Sequence, residues 1–107
     1  MSDYVQVSTA APTREAAVQL AEGATAAHLA AGAQVTGPVT SVFWHLGQQG
    51  NGEEWPVLLY TTADRYPQLE AYLIDAHPWD NPQVTAVPVL HGSAAYLAWV
   101  RRTVEGG

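Results

Sequence analysis

Two hydrophobic periods take turns along this chain, and their order leaves few folds open. Tyr4, Gln6 and Ser8 fall on one side of an extended segment and Val5 and Val7 on the other, which reads as a half-buried strand. Residues 9–12 break the alternation. Thr13 fits the cap of a helix whose first turn holds Glu15 and Ala16. Ala17, Leu20, Ala21, Ala24 and Ala27 then recur every three or four positions as a thin apolar stripe, with Gly32 expected as the C-terminal stop. Residues 33–45 are rich in Val, Thr, Phe and Trp and read as one strand bent at Gly37-Pro38. Residues 47–52, with three glycines, read as a loop. A second β run, residues 54–62, sets Trp55, Val57 and Leu59 against Leu58 and Tyr60 and completes a long hairpin. Tyr66, Leu69, Leu73 and Ala76 mark a second helix over 64–76, stopped by His77-Pro78-Trp79-Asp80-Asn81-Pro82. Residues 84–90 form a fourth β run in which Pro88 points to an edge or a bulge. Ser93 can cap a last helix carrying Tyr96, Trp99 and Val100.

The order β-α-β-β-α-β-α defines an α+β fold of the ferredoxin-like, split-βαβ type with an added C-terminal helix. Two helices are expected on one face of a four-stranded antiparallel sheet, leaving two edges open to pairing with another chain. The 107 residues hold no repeat and no linker, so residues 1–107 are expected to form a single domain. There is no cysteine, which excludes disulfides, thiolate metal sites and cysteine nucleophiles. The net charge is −6 and the four cations are arginines (Arg14, Arg65, Arg101, Arg102), so phosphate backbones and anionic membranes are poor partners. Charged residues make up only 13%, and part of this sparsely charged surface is expected to be buried against other subunits. No secretory-type leader and no membrane-spanning run is evident, which makes the cytoplasm the expected location.

Several segments, in order, resemble the CutA family, associated with divalent-cation tolerance. They are Ala17, Leu20-Ala21, Leu29-Ala30-Ala31, Thr40-Ser41-Val42-Phe43, Gly47, Glu54, Val57, Thr61-Thr62, Leu69-Glu70, His77-Pro78, Pro82, Ala86-Val87-Pro88 and Tyr96-Leu97-Ala98-Trp99. The likeness runs from about Thr9 to Trp99. It implies a ferredoxin-like subunit in a compact homotrimer, similar in assembly to PII-type signalling proteins, with hairpins and sheet edges shared between subunits. The polar positions depart from the family pattern. Gly32 stands where the family usually has a cysteine, Tyr60 where it has a lysine, Trp79 where it has a tyrosine and Gln83 where it has a glutamate.

Those departures shape the candidate chemistry. The family name points to a divalent metal, copper or zinc, but His28, His45, His77 and His91 form no His-x-His or His-x-x-x-His pair. Without a cysteine, only separated segments or threefold symmetry can gather ligands, and His45 and His77 are the weak candidates. His77 is either a proton carrier in an intersubunit cleft, with Trp79 as a stacking wall, or part of a helix stop bonding terminal carbonyls. Phe43, Trp44, His45, Tyr60, His77, Trp79 and Gln83 occupy the positions that border the family's cleft. Their neutral, aromatic character fits either interface packing or a pocket for a flat, uncharged small molecule. Trp44 or His45 is expected to face Tyr60 across the hairpin, and His45 and Tyr60 are the acid–base candidates if the chain has a reaction. Glu53-Glu54 reads as a solvated hairpin end, and residues 47–52 lack the lysine of a phosphate-binding loop. The leading expectation is a non-enzymatic CutA-like trimer that binds a small ligand or a metal ion. The alternative is a lyase, isomerase or cyclase acting on a small metabolite in the same pocket.

Overall fold

A computed structural model describes residues 3–106. The elements run β1 (Tyr4–Ala11), α1 (Arg14–Ala26), β2 (Gly32–Val35), β3 (Val39–His45), β4 (Gln48–Thr62), α2 (Tyr66–Ala76), β5 (Thr85–Pro88) and α3 (Ala94–Val104). The strand order is β2-β4-β1-β5, all antiparallel, with β3 continuing the β2 side of β4. Taking β2 and β3 as one interrupted strand, this is the ferredoxin-like order.

The period-two pattern sorts the two faces. Val7 pairs with Leu59 and Thr9 with Val57, and these side chains meet Ala17, Leu20 and Ala24 of α1 and Leu69 and Leu73 of α2 in one core. Leu59, Leu69 and Leu73 are fully buried. Each stabilises the fold by roughly 1.5–3 kcal/mol relative to exposure. The alanine stripe of α1 lets that helix approach closely, so the core is shallow and its leucines dominate. α3 lies on the opposite face of the sheet and anchors itself through the buried Val100 and Val104. The Arg65 Nε–H donates to the Val104 carbonyl at 2.9 Å, tying the end of α3 to the start of α2.

Three expectations are corrected. The first helix does not reach Gly32. It ends at Ala26, with His28 in the left-handed region (φ 58) and Gly32 opening β2. Residues 33–45 are two strands rather than one, separated at Gly37-Pro38. A Cβ on Gly37 would stand 2.9 Å from the Glu54 carbonyl oxygen, and its φ of 114° favours glycine. Residues 48–52 are not a loop. They belong to the fifteen-residue β4, and the turn is only Leu46-Gly47, both at positive φ as a two-residue hairpin turn demands. Pro88 does mark an edge, since among the described residues β5 pairs with β1 alone.

Candidate functional site

The even-numbered side chains of β1 and β4 face α3 across a cavity of about 550 Å³. Gln6, Gln34, Tyr60, His91, Tyr96 and Trp99 are among its lining residues. β1–β4 register sets Gln6 opposite Tyr60, and the Gln6 Nε2–H donates to the Tyr60 hydroxyl at 2.9 Å. Tyr96 stands edge-on to Tyr60 at 6.1 Å and tilted against Trp99 at 5.6 Å. Burial, and then the neighbouring Tyr60, push the Tyr96 phenol above its ordinary pKa. No Asp, Glu, Lys or Arg side chain belongs to the lining. At its margin, the Arg101 guanidinium sits 5.3 Å from the centre of the Tyr4 ring.

His77 sits at the end of α2 and is buried. Its Nε2 lies 2.7 Å from the Ala10 carbonyl oxygen, and its Nδ1 accepts the Trp79 backbone N–H at 3.0 Å. The Nε2–H tautomer satisfies both bonds at once. The carbonyl it serves belongs to β1, so the expectation that His77 bonds the terminal carbonyls of its own helix is corrected. Trp79 packs over the imidazole with ring centres 5.0 Å apart. Gln83, just before β5, donates from Nε2 to the Thr85 hydroxyl at 3.3 Å and does not line the α3 cavity.

Phe43, Trp44 and His45 lie at the far end of the hairpin, opposite Gly50, Gln49 and Gln48. Tyr60 is opposite Gly32, so neither Trp44 nor His45 faces it across the hairpin. From Gln48 to Tyr60, β4 covers roughly 40 Å at ~3.3 Å per residue. One subunit therefore divides the expected set into a hairpin group, the His77–Trp79 turn with Gln83 beyond it, and Tyr60. The acid–base candidates His45 and Tyr60 do not meet within it.

Metal ligation fits these residues poorly. An ion at His77 would have to displace one of two hydrogen bonds, and no group of three His, Asp or Glu side chains is arranged for a metal among the described residues.

Sequence reasoning did not single out Gln6, Gln34, His91, Tyr96 and Trp99 as site residues. Tyr96 and Trp99 have the i, i+3 spacing of one helix face, and Gln6 has the parity of Tyr4. The β1–β4 register brings Gln6 to Tyr60, the β2–β4 register brings Gln34 close to it, and the docking of α3 with the segment before it brings His91, Tyr96 and Trp99.

An open antiparallel sheet with two helices on one face and a third helix on the other defines a ferredoxin-like α+β protein with a bare hairpin arm. Comparison with known proteins narrows this class. Residues 5–103 match the family model described as CutA1 divalent ion tolerance protein. The divalent-cation tolerance protein CutA of Citrobacter koseri is 31% identical, over 96% of this chain and 90% of that protein. Its Thermus thermophilus counterpart is 29% identical, over 84% of this chain and 87% of that protein. Among solved structures, CutA1 from Oryza sativa superposes with a TM-score of 0.94 at 24% identity, covering 99% of this chain and 97% of that one. The chain belongs to the CutA family of divalent-cation tolerance proteins.

Proposed function

We propose that this chain acts in divalent-cation tolerance in the cytoplasm as a homotrimer, and that assembly builds a largely uncharged intersubunit cleft for a small ligand. One observation carries the reading: the hairpin arm exposes large apolar side chains that none of the described residues covers. Val42 is 63%, Trp44 76% and Leu46 90% exposed. Contiguous exposed apolar surface of this kind is characteristic of interaction sites. The open edge of β5 offers a second place for a partner. In the trimer, the Phe43, Trp44 and His45 end of one arm reaches Tyr60, or the His77, Trp79 and Gln83 region, of the next subunit. The neutral Tyr60 and Gln83 suit a cleft in which an unpaired buried charge would cost about 3–5 kcal/mol.

No metal ion is routed through His45 or His77 in this reading. The acid–base pairing of His45 with Tyr60, on which an enzyme would depend, has no observation in its favour. Sedimentation equilibrium tests the assembly: the expected mass is three times the 11.4 kDa subunit. A stable monomer at micromolar concentration sinks both the trimer and its cleft.

A further inference from the structure

We infer that the groove between α1 and α2, on the helical face of the sheet, binds a small organic cation with an apolar body, of the aryl-alkylammonium class. The groove needs no residue of the arm, of β5 or of α3. Only Pro78 of its lining borders the His77–Trp79 turn.

One packing choice opens the groove. Gly23 stands in the interior of α1, where glycine is unfavourable. A Cβ there would collide with the Tyr72 hydroxyl, so the glycine lets the half-buried Tyr72 ring lie across α1. With that ring as one wall, Ala16, Gln19 and Leu20 of α1 and Ala76 and Pro78 at the end of α2 border a space of about 300 Å³. That is the small end of the range for ligand sites, and it suits one ring with a short arm. Leu20 is buried, and the side chains of Ala16, Ala76 and Pro78 are apolar, so a ring set against them leaves water for hydrocarbon.

Helix geometry decides the charge of the ligand. At ~100° per residue, Glu15, Gln19 and Glu22 share the α2 side of α1 with Ala16 and Gly23, and lie outward of them. Arg14 falls on the opposite side, with Val18 and Ala21. On α2, Asp75 follows Tyr72 by three positions and lies next to it on the helix surface. Exposed carboxylates on both helices therefore rim an apolar groove whose lining holds no charged side chain. Among the described residues, Glu15, Glu22 and Asp75 form no ion pair. Arg65, at the start of α2, is engaged by the Val104 carbonyl and by Gln68. An ammonium joined to a ring can stay hydrated at the rim, near these carboxylates and the Tyr72 ring, while its apolar end fills the groove. A carboxylate of the same shape meets the same field with the opposite sign, and the net charge of −6 adds to the repulsion. A bare divalent ion fits badly, since the lining supplies no carboxylate or imidazole and no three such groups converge among the described residues.

The experiment is a nuclear magnetic resonance titration of the isotope-labelled full chain at neutral pH and low salt. The probes are 2-phenylethylammonium, 3-phenylpropionate and 2-phenylethanol, which share a ring and differ in charge. The ammonium is expected to shift the backbone amides of Gln19, Leu20 and Tyr72, with a dissociation constant on the order of 1 mM. It is expected to bind at least tenfold more tightly than the propionate. Ala76→Leu adds bulk at an exposed lining position, and is expected to weaken binding at least tenfold with the circular dichroism spectrum and sedimentation mass retained. The double variant Glu15→Gln/Asp75→Asn is expected to weaken the ammonium about fivefold and to leave the alcohol unchanged. Val42→Ser/Leu46→Ser, aimed at the arm, should leave ammonium binding intact even where it dissociates the trimer, so failure of the assembly and failure of this site read apart. Shifts that are absent or spread over the acidic surface, equal binding of ammonium and propionate, or binding indifferent to Ala76→Leu overturns the proposal. So does loss of binding in the arm variant, because the groove would then depend on a second subunit.

Discussion

Two buried threonines show how single atoms set the stability of this core. The hydroxyls of Thr9 and Thr61 are buried with no hydrogen-bond partner among the described residues. Desolvating an unpaired hydroxyl is unfavourable, and an apolar group of the same shape removes that cost. Thr61→Val is therefore expected to stabilise the protein by about 1 kcal/mol, raising Tm by a few degrees in a thermal melt. An unchanged or lower Tm would mean that the hydroxyl has a partner in solution. His77 is the opposite case, a buried side chain with both nitrogens engaged. His77→Ala leaves the Ala10 carbonyl unsatisfied and is expected to cost about 1–3 kcal/mol. It should not change affinity for Zn²⁺ or Cu²⁺ measured against a competing chelator. Unchanged stability together with lost metal binding would make His77 a ligand after all. The sequence marked His77 as special through His-Pro-aromatic, but its role was not legible there. The partner is a carbonyl of β1, and no local pattern announces a contact between segments so distant in the chain.

At the scale of the elements, sequence and structure part chiefly at the glycines. Gly47, Gly50 and Gly52 read as a loop because glycine weakens a strand, yet Gly50 and Gly52 lie inside β4. Cross-strand pairing explains Gly50. It lies opposite Phe43, and a Cβ on Gly50 would approach the Phe43 ring to 3.2 Å. The aromatic side chain occupies the space that a side chain at Gly50 would fill, so the ladder survives. Strand parity in 54–62 and the leucine spacing of α2 match the structure, because burial on one face imposes those periods directly. Helix α1 stops short of Gly32 because His28 already adopts the left-handed conformation that a glycine ordinarily supplies. The turn leads to a prediction. Leu46 sits at φ 52 and is 90% exposed, so it bears left-handed strain without compensating burial in the subunit. Leu46→Asn creates the favoured Asn-Gly turn and should stabilise the hairpin by roughly 1 kcal/mol. Slower hydrogen exchange in residues 43–50 would show it, and faster exchange would contradict it. In α2, the Tyr66 hydroxyl donates to Glu70 at 2.7 Å, and burial with this carboxylate pushes its pKa up to about 12. Tyr66 thus stabilises the fold fully below pH ~10, its ordinary value, and that contribution is lost as pH rises through about 12. Tyr66→Phe should flatten part of the alkaline fall in Tm between those limits. A wild-type and variant pair falling in parallel would remove Tyr66 from the account.

For the whole molecule, the balance lies between an acidic surface and an apolar arm. Each subunit carries −6, so self-association brings like charges together. The exposed arm residues Val42, Trp44 and Leu46 are uncharged, and the ion pair seen among the described residues joins Arg101 of α3 to Glu105 just past its end. If arms and sheet edges hold the proposed trimer, its attraction is apolar and hydrogen-bonded while its repulsion is electrostatic. Salt screens only the second of these: the Debye length falls from about 30 Å at 0.01 M to about 10 Å at 0.1 M. Association is therefore expected to tighten as NaCl rises over that range and then level off. Sedimentation equilibrium at graded salt measures it, with the mass distribution shifting toward trimer. Dissociation on adding salt would show instead that ion pairs between subunits hold the assembly. The four arginines would then be the residues to examine, and the apolar arm would lose its place as the principal contact.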